Sequence, residues 1–227
     1  ILRGILPKAV FICGGPHPTA CPEACFSQGL FDFLVLGEGE ETFLELSAYL
    51  QDKRQYALED IPGLAFKRGQ EIVITAPRQK IRDLDTLPFP ARDLLPALAD
   101  YRPTPASYRR LSVAVIMTSR GCPSRCVFCD RSVFGDKFRG RSVANVMAEV
   151  EEVIGRYKAK EVRFFDDTFT QDAKFVTDIC QAIAKLRPKI PWTCLTKVTA
   201  VNLEMLKTMR AAGCWQVLFG LESGDEY

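Results

Sequence analysis

The sequence is poor in several features that mark large classes of proteins. It contains one histidine, His17, so no metal site can use more than one imidazole. The formal net charge is only +2, without the excess of one sign typical of proteins that bind nucleic acid or a membrane surface. No uninterrupted apolar run approaches the ~18 residues of a membrane span. Pro7 and Lys8 split the apolar opening segment, which therefore does not form a secretion signal.

Cysteine, in contrast, is abundant, with nine residues in the chain. Three of them, Cys122, Cys126 and Cys129, fall within a single short stretch. An odd total, no secretion signal and a tight cluster favour a reduced, cytoplasmic location and metal ligation rather than disulfides. The other six are expected to be small buried apolar residues. They are Cys13, Cys21, Cys25, Cys180, Cys194 and Cys214.

Residues 1–55 predict the end of a parallel sheet. Apolar strands are predicted at 8–15 and 31–37, with helices at 21–30 and 38–54, and this alternation is typical of α/β proteins. Two strands are too few to stand alone. The chain begins with Ile1 rather than Met and ends at Tyr227, directly after a predicted strand. We therefore interpret it as a segment of a longer protein, with further strands before residue 1.

Residues 56–110 have a different pattern. A hairpin is predicted, with strands at 64–67 and 71–75 on either side of a turn. Prolines then recur from Pro88 to Pro105, which excludes a continuous helix or a central strand. This region is predicted to be an ordered connector.

Residues 111–227 resume the alternation more clearly, with four strands and three helices in βα order. This pattern predicts about half to two-thirds of a βα barrel or a wound sheet. The strands are predicted at 113–119, 161–167, 191–197 and 214–224, and the helices at 142–157, 172–186 and 202–213.

Several explanations compete for the three clustered cysteines. A structural zinc site needs a fourth ligand, and the lone histidine lies over a hundred residues away. A disulfide would leave one thiol unpaired in a reduced compartment, and three ordinary buried cysteines would be spread along a strand rather than bunched in a loop. A cubane iron–sulfur cluster fits better, because closely spaced thiolates in a loop point at one centre. Three ligands on four irons leave one iron open to bind a small molecule.

The spacing Cys122-x3-Cys126-x2-Cys129, with Phe128 before the last cysteine and a strand just upstream, resembles the radical S-adenosylmethionine (radical SAM) superfamily. The resemblance implies a 4Fe–4S cluster whose open iron is chelated by the amino and carboxylate groups of S-adenosylmethionine. It also implies one-electron cleavage of the sulfonium to a 5′-deoxyadenosyl radical, driven by a reductant such as flavodoxin or ferredoxin.

The same resemblance suggests residues that bind S-adenosylmethionine at the carboxyl ends of the strands. At the end of the second strand, Asp166, Asp167 and Thr168 stand where the family holds the amino group, although an acid or threonine here could instead cap the next helix. Lys197, at the end of the third strand, is either a contact to the carboxylate or a solvated lysine. Glu222 and Ser223, at the end of the fourth strand, suit the ribose hydroxyls and the carboxylate.

Two glycine-containing segments resemble the second half of the cobalamin-binding domain that precedes some radical SAM domains. The resemblance implies that the loops line the nucleotide tail of cobalamin, and glycine allows the backbone to approach a bulky ligand. We interpret His17 as a loop residue near that tail or an ordinary turn residue, rather than a cobalt ligand. The predicted residues are Gly14, Gly15, His17 and Thr19 in the first loop, and Gly37, Glu38 and Gly39 in the second.

These observations predict an α/β protein with three parts. They are the C-terminal part of a Rossmann-like cobalamin-binding domain (1–55), a connector (56–110) and a partial radical SAM barrel (111–227). The predicted activity is cobalamin-linked methylation, or ring closure or rearrangement, at an unactivated carbon of a small molecule. No catalytic residue is predicted. The alternatives are a methylthiotransferase and a non-catalytic zinc or redox module. Near the first helix, Arg139 and Arg141 are expected to contact the connector or cofactor, or to be solvated.

Overall fold

The computed structural model of the chain describes residues 2–51 and 57–224. These form two compact units, one comprising Ile1–Arg82 and Pro123–Asp136 and the other Asp83–Cys122 and Lys137–Tyr227. In the described residues no helix is both long and apolar enough to cross a membrane. The three predicted domain boundaries stay a prediction. The last residues of the helix predicted at 38–54, and the end of the chain at Tyr227, lie outside the described residues.

The first unit is a four-stranded sheet with helices. Strands β1 and β2 are parallel, as predicted, with Gly14 opposite Val35. Strand β3 pairs antiparallel with both β2 and β4, so the predicted hairpin extends this sheet. The elements in chain order are α1 (Leu2–Ile5), β1 (Ile12–Gly14), α2 (Pro16–Ala20), α3 (Pro22–Ser27), β2 (Phe33–Val35), α4 (Glu40–Leu50), β3 (Leu64–Arg68) and β4 (Glu71–Ile74).

The second unit is a parallel sheet covered by helices. Its four main strands lie in the order β10-β9-β8-β5, and a two-stranded ribbon, β6–β7, flanks the cysteine loop in sequence. The elements are β5 (Val113–Ile116), β6 (Ser119–Arg120), β7 (Arg139–Gly140), α5 (Val143–Gly155), β8 (Glu161–Phe164), α6 (Ala173–Ile183), β9 (Trp192–Lys197), α7 (Leu203–Ala211) and β10 (Cys214–Gly220).

The predicted starts of the three long helices are confirmed by their N-caps. The side chains of Ser142, Asp172 and Asn202 each accept a hydrogen bond from a backbone N–H in the first turn of α5, α6 and α7, respectively. Such caps satisfy donors that a helix leaves unpaired, which is why these residue types mark helix starts in a sequence.

The core of the second unit lies between the sheet and its helices. Trp192 is fully buried and its ring lies 5.5 Å from that of Phe164, centroid to centroid. A buried carboxylate on β8 joins distant segments: Glu161 accepts hydrogen bonds from the backbone N–H groups of Arg109 and Arg110 and from Trp215 Nε1. These bonds hold the start of β5 and β10 against the amino end of β8.

Candidate functional site: the strand ends and the cysteine loop

The predicted site residues of the second unit follow neighbouring parallel strands. Asp166–Thr168 follow β8, Lys197 ends β9, and Glu222 and Ser223 follow β10. Because these strands are parallel, their carboxyl ends meet at one edge of the sheet, where ligands of open α/β sheets bind. The cysteine loop leaves the same edge, after β5.

Asp166 is buried, with 3% of its surface exposed. Its Oδ1 accepts hydrogen bonds from the backbone N–H and the hydroxyl of both Thr118 and Ser119, at 2.5–3.0 Å. Its Oδ2 is buried and has no hydrogen-bond partner among the described residues. Burial raises the pKa of the Asp166 carboxyl to about 6, against the opposing effect of the four hydrogen bonds.

Asp167 and Thr168 continue this contact along the chain. Asp167 is exposed, and its carboxyl accepts a hydrogen bond from the backbone N–H of Gly121. Partial desolvation raises the pKa of this carboxyl, and the hydrogen bond opposes that shift. The hydroxyl oxygen of Thr168 lies 3.7 Å from Cys122 Sγ. The alternative role of these two residues as caps of α6 is not observed, because Asp172 caps that helix. Three consecutive residues therefore contact the segment leading into the cysteine loop.

Arginine side chains hold the other side of that segment. Arg141 Nη1 donates to the carbonyl oxygen of Met117 at 2.9 Å and to the carboxylate of Glu149, which is 2% exposed. Arg92 donates to the same carboxylate at 2.6 Å and to the carbonyl oxygen of Val115 at 3.0 Å. Glu149 is not among the predicted site residues, although it carried a signal in the sequence as a charged residue on the buried face of α5.

One of the predicted roles for Arg141 is observed. Its guanidinium lies 5.4 Å from the centre of the Phe89 ring, and Phe89 belongs to the proline-rich segment. Arg141 therefore contacts the predicted connector.

The other predicted residues of this edge are less constrained. Lys197 is partly exposed, and its neighbour Thr196 is buried with its hydroxyl against that of Thr170. Strand β10 ends at Gly220, earlier than predicted, so Glu222 and Ser223 lie on an exposed segment beyond it. Their predicted contacts with S-adenosylmethionine stay predictions.

The cysteine loop becomes exposed after its first cysteine. Cys122 is partly buried, whereas Cys126 and Cys129 are exposed. Over residues 2–51 and 57–224, no three His, Cys, Asp or Glu side chains are arranged to hold a metal ion. The donor set suits an iron–sulfur cluster, because thiolates are its usual ligands, and the assignment of the three cysteines stays a prediction.

Of the six remaining cysteines, four are buried as expected: Cys25, Cys180, Cys194 and Cys214. Cys13 is partly buried. The expectation for Cys21 is wrong, because it is exposed between the short helices α2 and α3.

In the first unit the two glycine loops follow the carboxyl ends of β1 and β2. Thr19 joins them: its hydroxyl donates to the carbonyl oxygen of Gly15 at 2.7 Å and accepts from the backbone N–H of Gly37 at 3.0 Å. Gly15 and Gly37 both have positive φ angles and face open space, since a Cβ added to either would meet no atom within 4 Å. Such a backbone leaves room for a ligand.

The remaining predicted residues of these loops have mixed environments. His17 is exposed and lies in the short helix α2 rather than in a turn. Glu38 is buried, and its carboxylate accepts a hydrogen bond from the backbone N–H of Ile81 at 3.1 Å. Gly39 approaches Val35 so closely that a Cβ would lie 2.7 Å from Val35 Cγ1. Gly14 is exposed at the end of β1. Their contacts with cobalamin stay predictions.

Comparison with known protein families defines the class of the second unit. The model of the radical SAM superfamily matches residues 116–227. This range contains the three clustered cysteines and the strand ends after β8, β9 and β10. Residues 116–227 therefore belong to the radical SAM superfamily, and the predicted family is confirmed.

Individual relatives extend the likeness to the whole chain. An uncharacterized methyltransferase, PH0819 of Pyrococcus horikoshii, is 38% identical over 99% of this chain and 48% of its own length. The anaerobic magnesium-protoporphyrin IX monomethyl ester cyclase of Cereibacter sphaeroides is 32% identical over 98% of this chain and 36% of its own length. The chain thus spans half or less of the length of these relatives.

A solved structure supports the fold. The cobalamin-dependent S-adenosylmethionine radical enzyme OxsB, with aqua-cobalamin and S-adenosylmethionine bound, superposes with a TM-score of 0.78 over 98% of this chain and 33% of its own. At 22% identity this likeness concerns the fold alone. It confirms the predicted fold class, in which a Rossmann-like part precedes a partial radical SAM barrel.

Proposed function

We propose that this chain is part of a radical SAM enzyme in which Cys122, Cys126 and Cys129 bind a 4Fe–4S cluster. The observation that carries the proposal is a set of three cysteines in one loop that follows β5 in sequence, within the segment that matches the superfamily. Three thiolates leave the fourth iron available to the amino and carboxylate groups of S-adenosylmethionine. A structural zinc site would need a fourth protein ligand.

A 4Fe–4S cluster held by the three cysteines would supply one electron to the sulfonium of S-adenosylmethionine, and this would allow 5′-deoxyadenosyl radical chemistry that removes a hydrogen atom from the substrate. The electron comes from an external one-electron donor of the flavodoxin or ferredoxin type. The proposed role of the chain itself is to bind and orient S-adenosylmethionine. Asp167, Lys197, Glu222 and Ser223 are proposed to contact S-adenosylmethionine, because they follow the strands whose carboxyl ends share an edge with the cysteine loop.

Cobalamin is the third proposed cofactor. The loops of the first unit support it, since Gly15 and Gly37 leave open space beside the carboxyl ends of β1 and β2. A protein of known structure that resembles the chain, OxsB, binds aqua-cobalamin and S-adenosylmethionine together. We do not propose that His17 is a cobalt ligand.

The proposed reaction class is methyl transfer to an unactivated carbon of a small molecule. A relative with 38% identity is a methyltransferase, which supports this class. A related cyclase favours oxidative ring closure as the second reaction class. The two reaction classes give different products, so product analysis with the full-length protein distinguishes them.

Reconstitution of the 227-residue chain tests the cluster. After anaerobic incubation with iron and sulfide, we expect about four irons and four sulfides per chain, with an EPR signal that changes when S-adenosylmethionine is added. Serine at any one of Cys122, Cys126 or Cys129 should lower the iron content and abolish the change. Cys21→Ser is the matched control, because it removes an exposed thiol outside the loop, and it should behave as wild type.

Two results would contradict the proposal. One is a single zinc with no visible absorption, which indicates the non-catalytic module. The other is an unaltered cluster in all three serine variants.

Binding of hydroxocobalamin is measured separately by co-elution. Gly37→Val is expected to weaken this binding, because the side chain would occupy the open space and strain a backbone with φ of +73°.

A further inference from the structure

The segment before the cysteine loop is held in register by the three residues that follow β8. Asp166 contacts Thr118 and Ser119, Asp167 accepts from the N–H of Gly121, and Thr168 lies against Cys122. The two segments therefore run side by side, residue by residue, up to the first thiol. The family resemblance does not imply these contacts with the cysteine segment. It implies instead that all three residues bind S-adenosylmethionine.

Asp166 is the centre of this contact. A single carboxylate oxygen accepts four hydrogen bonds from two consecutive residues, at a site where the side chain is 3% exposed. A buried N–H group that loses its acceptor is left desolvated without a hydrogen bond, which is destabilising. The conformation of Thr118 and Ser119 therefore depends on this oxygen. Water has little access to replace it.

The same segment is also fixed from its carbonyl side. The backbone N–H of Arg141 donates to the carbonyl oxygen of Thr118 at 2.8 Å, and Arg141 Nη1 donates to that of Met117. In addition, Ser119 and Arg120 pair with β7. The donors of Thr118 and Ser119, however, are satisfied by Asp166, so no other described contact replaces that carboxylate.

We propose that Asp166 is a positioning residue for the cysteine loop. Its Oδ1 fixes Thr118 and Ser119, and thereby sets where Cys122 enters the cluster that the proposed function requires. This inference rests on the proposed function for the cluster itself, but the contact exists in the cluster-free chain. Positioning needs an acceptor oxygen and no negative charge, whereas a role on the ammonium of S-adenosylmethionine needs the charge. The two roles therefore predict different behaviour for asparagine at this position.

The experiment compares Asp166→Ala, Asp166→Asn and wild type in the 227-residue chain. In the cluster-free protein, hydrogen exchange of the Thr118 and Ser119 amides should be about tenfold faster or more in the alanine variant, because the hydrogen bonds are lost, and close to wild type in the asparagine variant. After anaerobic reconstitution, the alanine variant should hold less iron, while the asparagine variant should retain the iron content and the EPR change caused by S-adenosylmethionine.

Asp172→Ala is the matched control. It removes another aspartate from the same connection between β8 and α6, where Asp172 accepts a hydrogen bond from the N–H of Phe175 at 3.0 Å. This variant should lose helix stability but keep slow exchange at Thr118 and full iron content.

Two results would overturn the inference. One is an alanine variant with unchanged exchange and iron content. The other is an asparagine variant that keeps its iron but loses the response to S-adenosylmethionine, which would assign the carboxylate to the nucleotide. If the alanine variant does not fold, the exchange of the Thr118 and Ser119 amides in wild type decides, and exchange of both amides at the rate of an unstructured peptide overturns the inference. If wild type takes up no cluster, the proposed function fails, while the exchange measurement still decides the role of Asp166.

Discussion

The two units of the molecule use the carboxyl ends of parallel strands in different ways. In the first unit the strand ends carry glycines with open space around them, and one threonine hydroxyl joins the two loops. In the second unit the end of β8 carries a buried acid, Asp166, that accepts hydrogen bonds from the backbone of the segment after β5. The first edge thus leaves open space at its glycines, although the buried Glu38 also accepts a backbone hydrogen bond there, whereas the second edge fixes a neighbouring segment through Asp166.

The second unit also depends on a buried acid away from its strand ends, Glu149 of α5. Glu149→Ala should lower the free energy of unfolding by about 3–5 kcal/mol, because Arg92 and Arg141 would lose their carboxylate partner in a largely buried site. Urea denaturation of the cluster-free chain measures the effect. Glu151→Ala, at an exposed position of the same helix, should change stability by less than about 0.5 kcal/mol. A loss below about 1 kcal/mol for Glu149→Ala would break the comparison.

The raised pKa of Asp166 predicts how stability depends on pH. The pKa of Asp166 is about 6 in the folded chain and about 3.8 as its reference value. The folded state therefore holds this proton more tightly, so the contribution is fully present below pH ~4 and is lost as pH rises through ~6. The stability difference between wild type and Asp166→Asn should fall by about 3 kcal/mol over that window, at about 1.4 kcal/mol per pKa unit.

Denaturation of both proteins from pH 4 to pH 7 gives this difference directly. Asp166→Asn removes the titrating group. Because the other acids are the same in both proteins, their contributions cancel in the difference between the two stabilities. A difference that stays constant with pH would mean that Asp166 titrates near its ordinary value in the folded chain.

The smallest expected effect belongs to the first unit. Thr19→Val removes both hydrogen bonds of the hydroxyl and should cost about 1–2 kcal/mol of stability, whereas Thr19→Ser keeps them and should stay close to wild type. Thermal denaturation compares the two variants. If serine destabilises as much as valine, the methyl group of Thr19 rather than its hydroxyl joins the loops.

The elements and the family could be predicted from the sequence, because they depend on local patterns. Apolar periodicity located the four main strands of the second unit, and Ser142, Asp172 and Asn202 marked the helix starts through their capping chemistry. The cysteine spacing identified the superfamily. The end of β10 was predicted too late, since apolar Leu221 continues the pattern although the strand ends at Gly220.

The role of Asp166 could not be predicted in the same way. Its partners lie 47 and 48 residues away in the sequence, and no local pattern shows that a carboxylate will face Thr118 rather than a ligand. Glu149 offered a partial signal as an acid on an apolar helix face, but its two arginines come from separate segments. Side-chain contacts between distant segments are fixed by the tertiary structure alone.

The exposure of the cysteine loop has a practical consequence. Val127 lies between Cys126 and the aromatic residue of the motif, and its side chain is fully solvent-accessible. It buries no surface, so replacing it removes no packing energy. An infrared-active nitrile introduced at position 127 could therefore report the local electric field beside Cys126 while the scaffold that carries it stays unaltered.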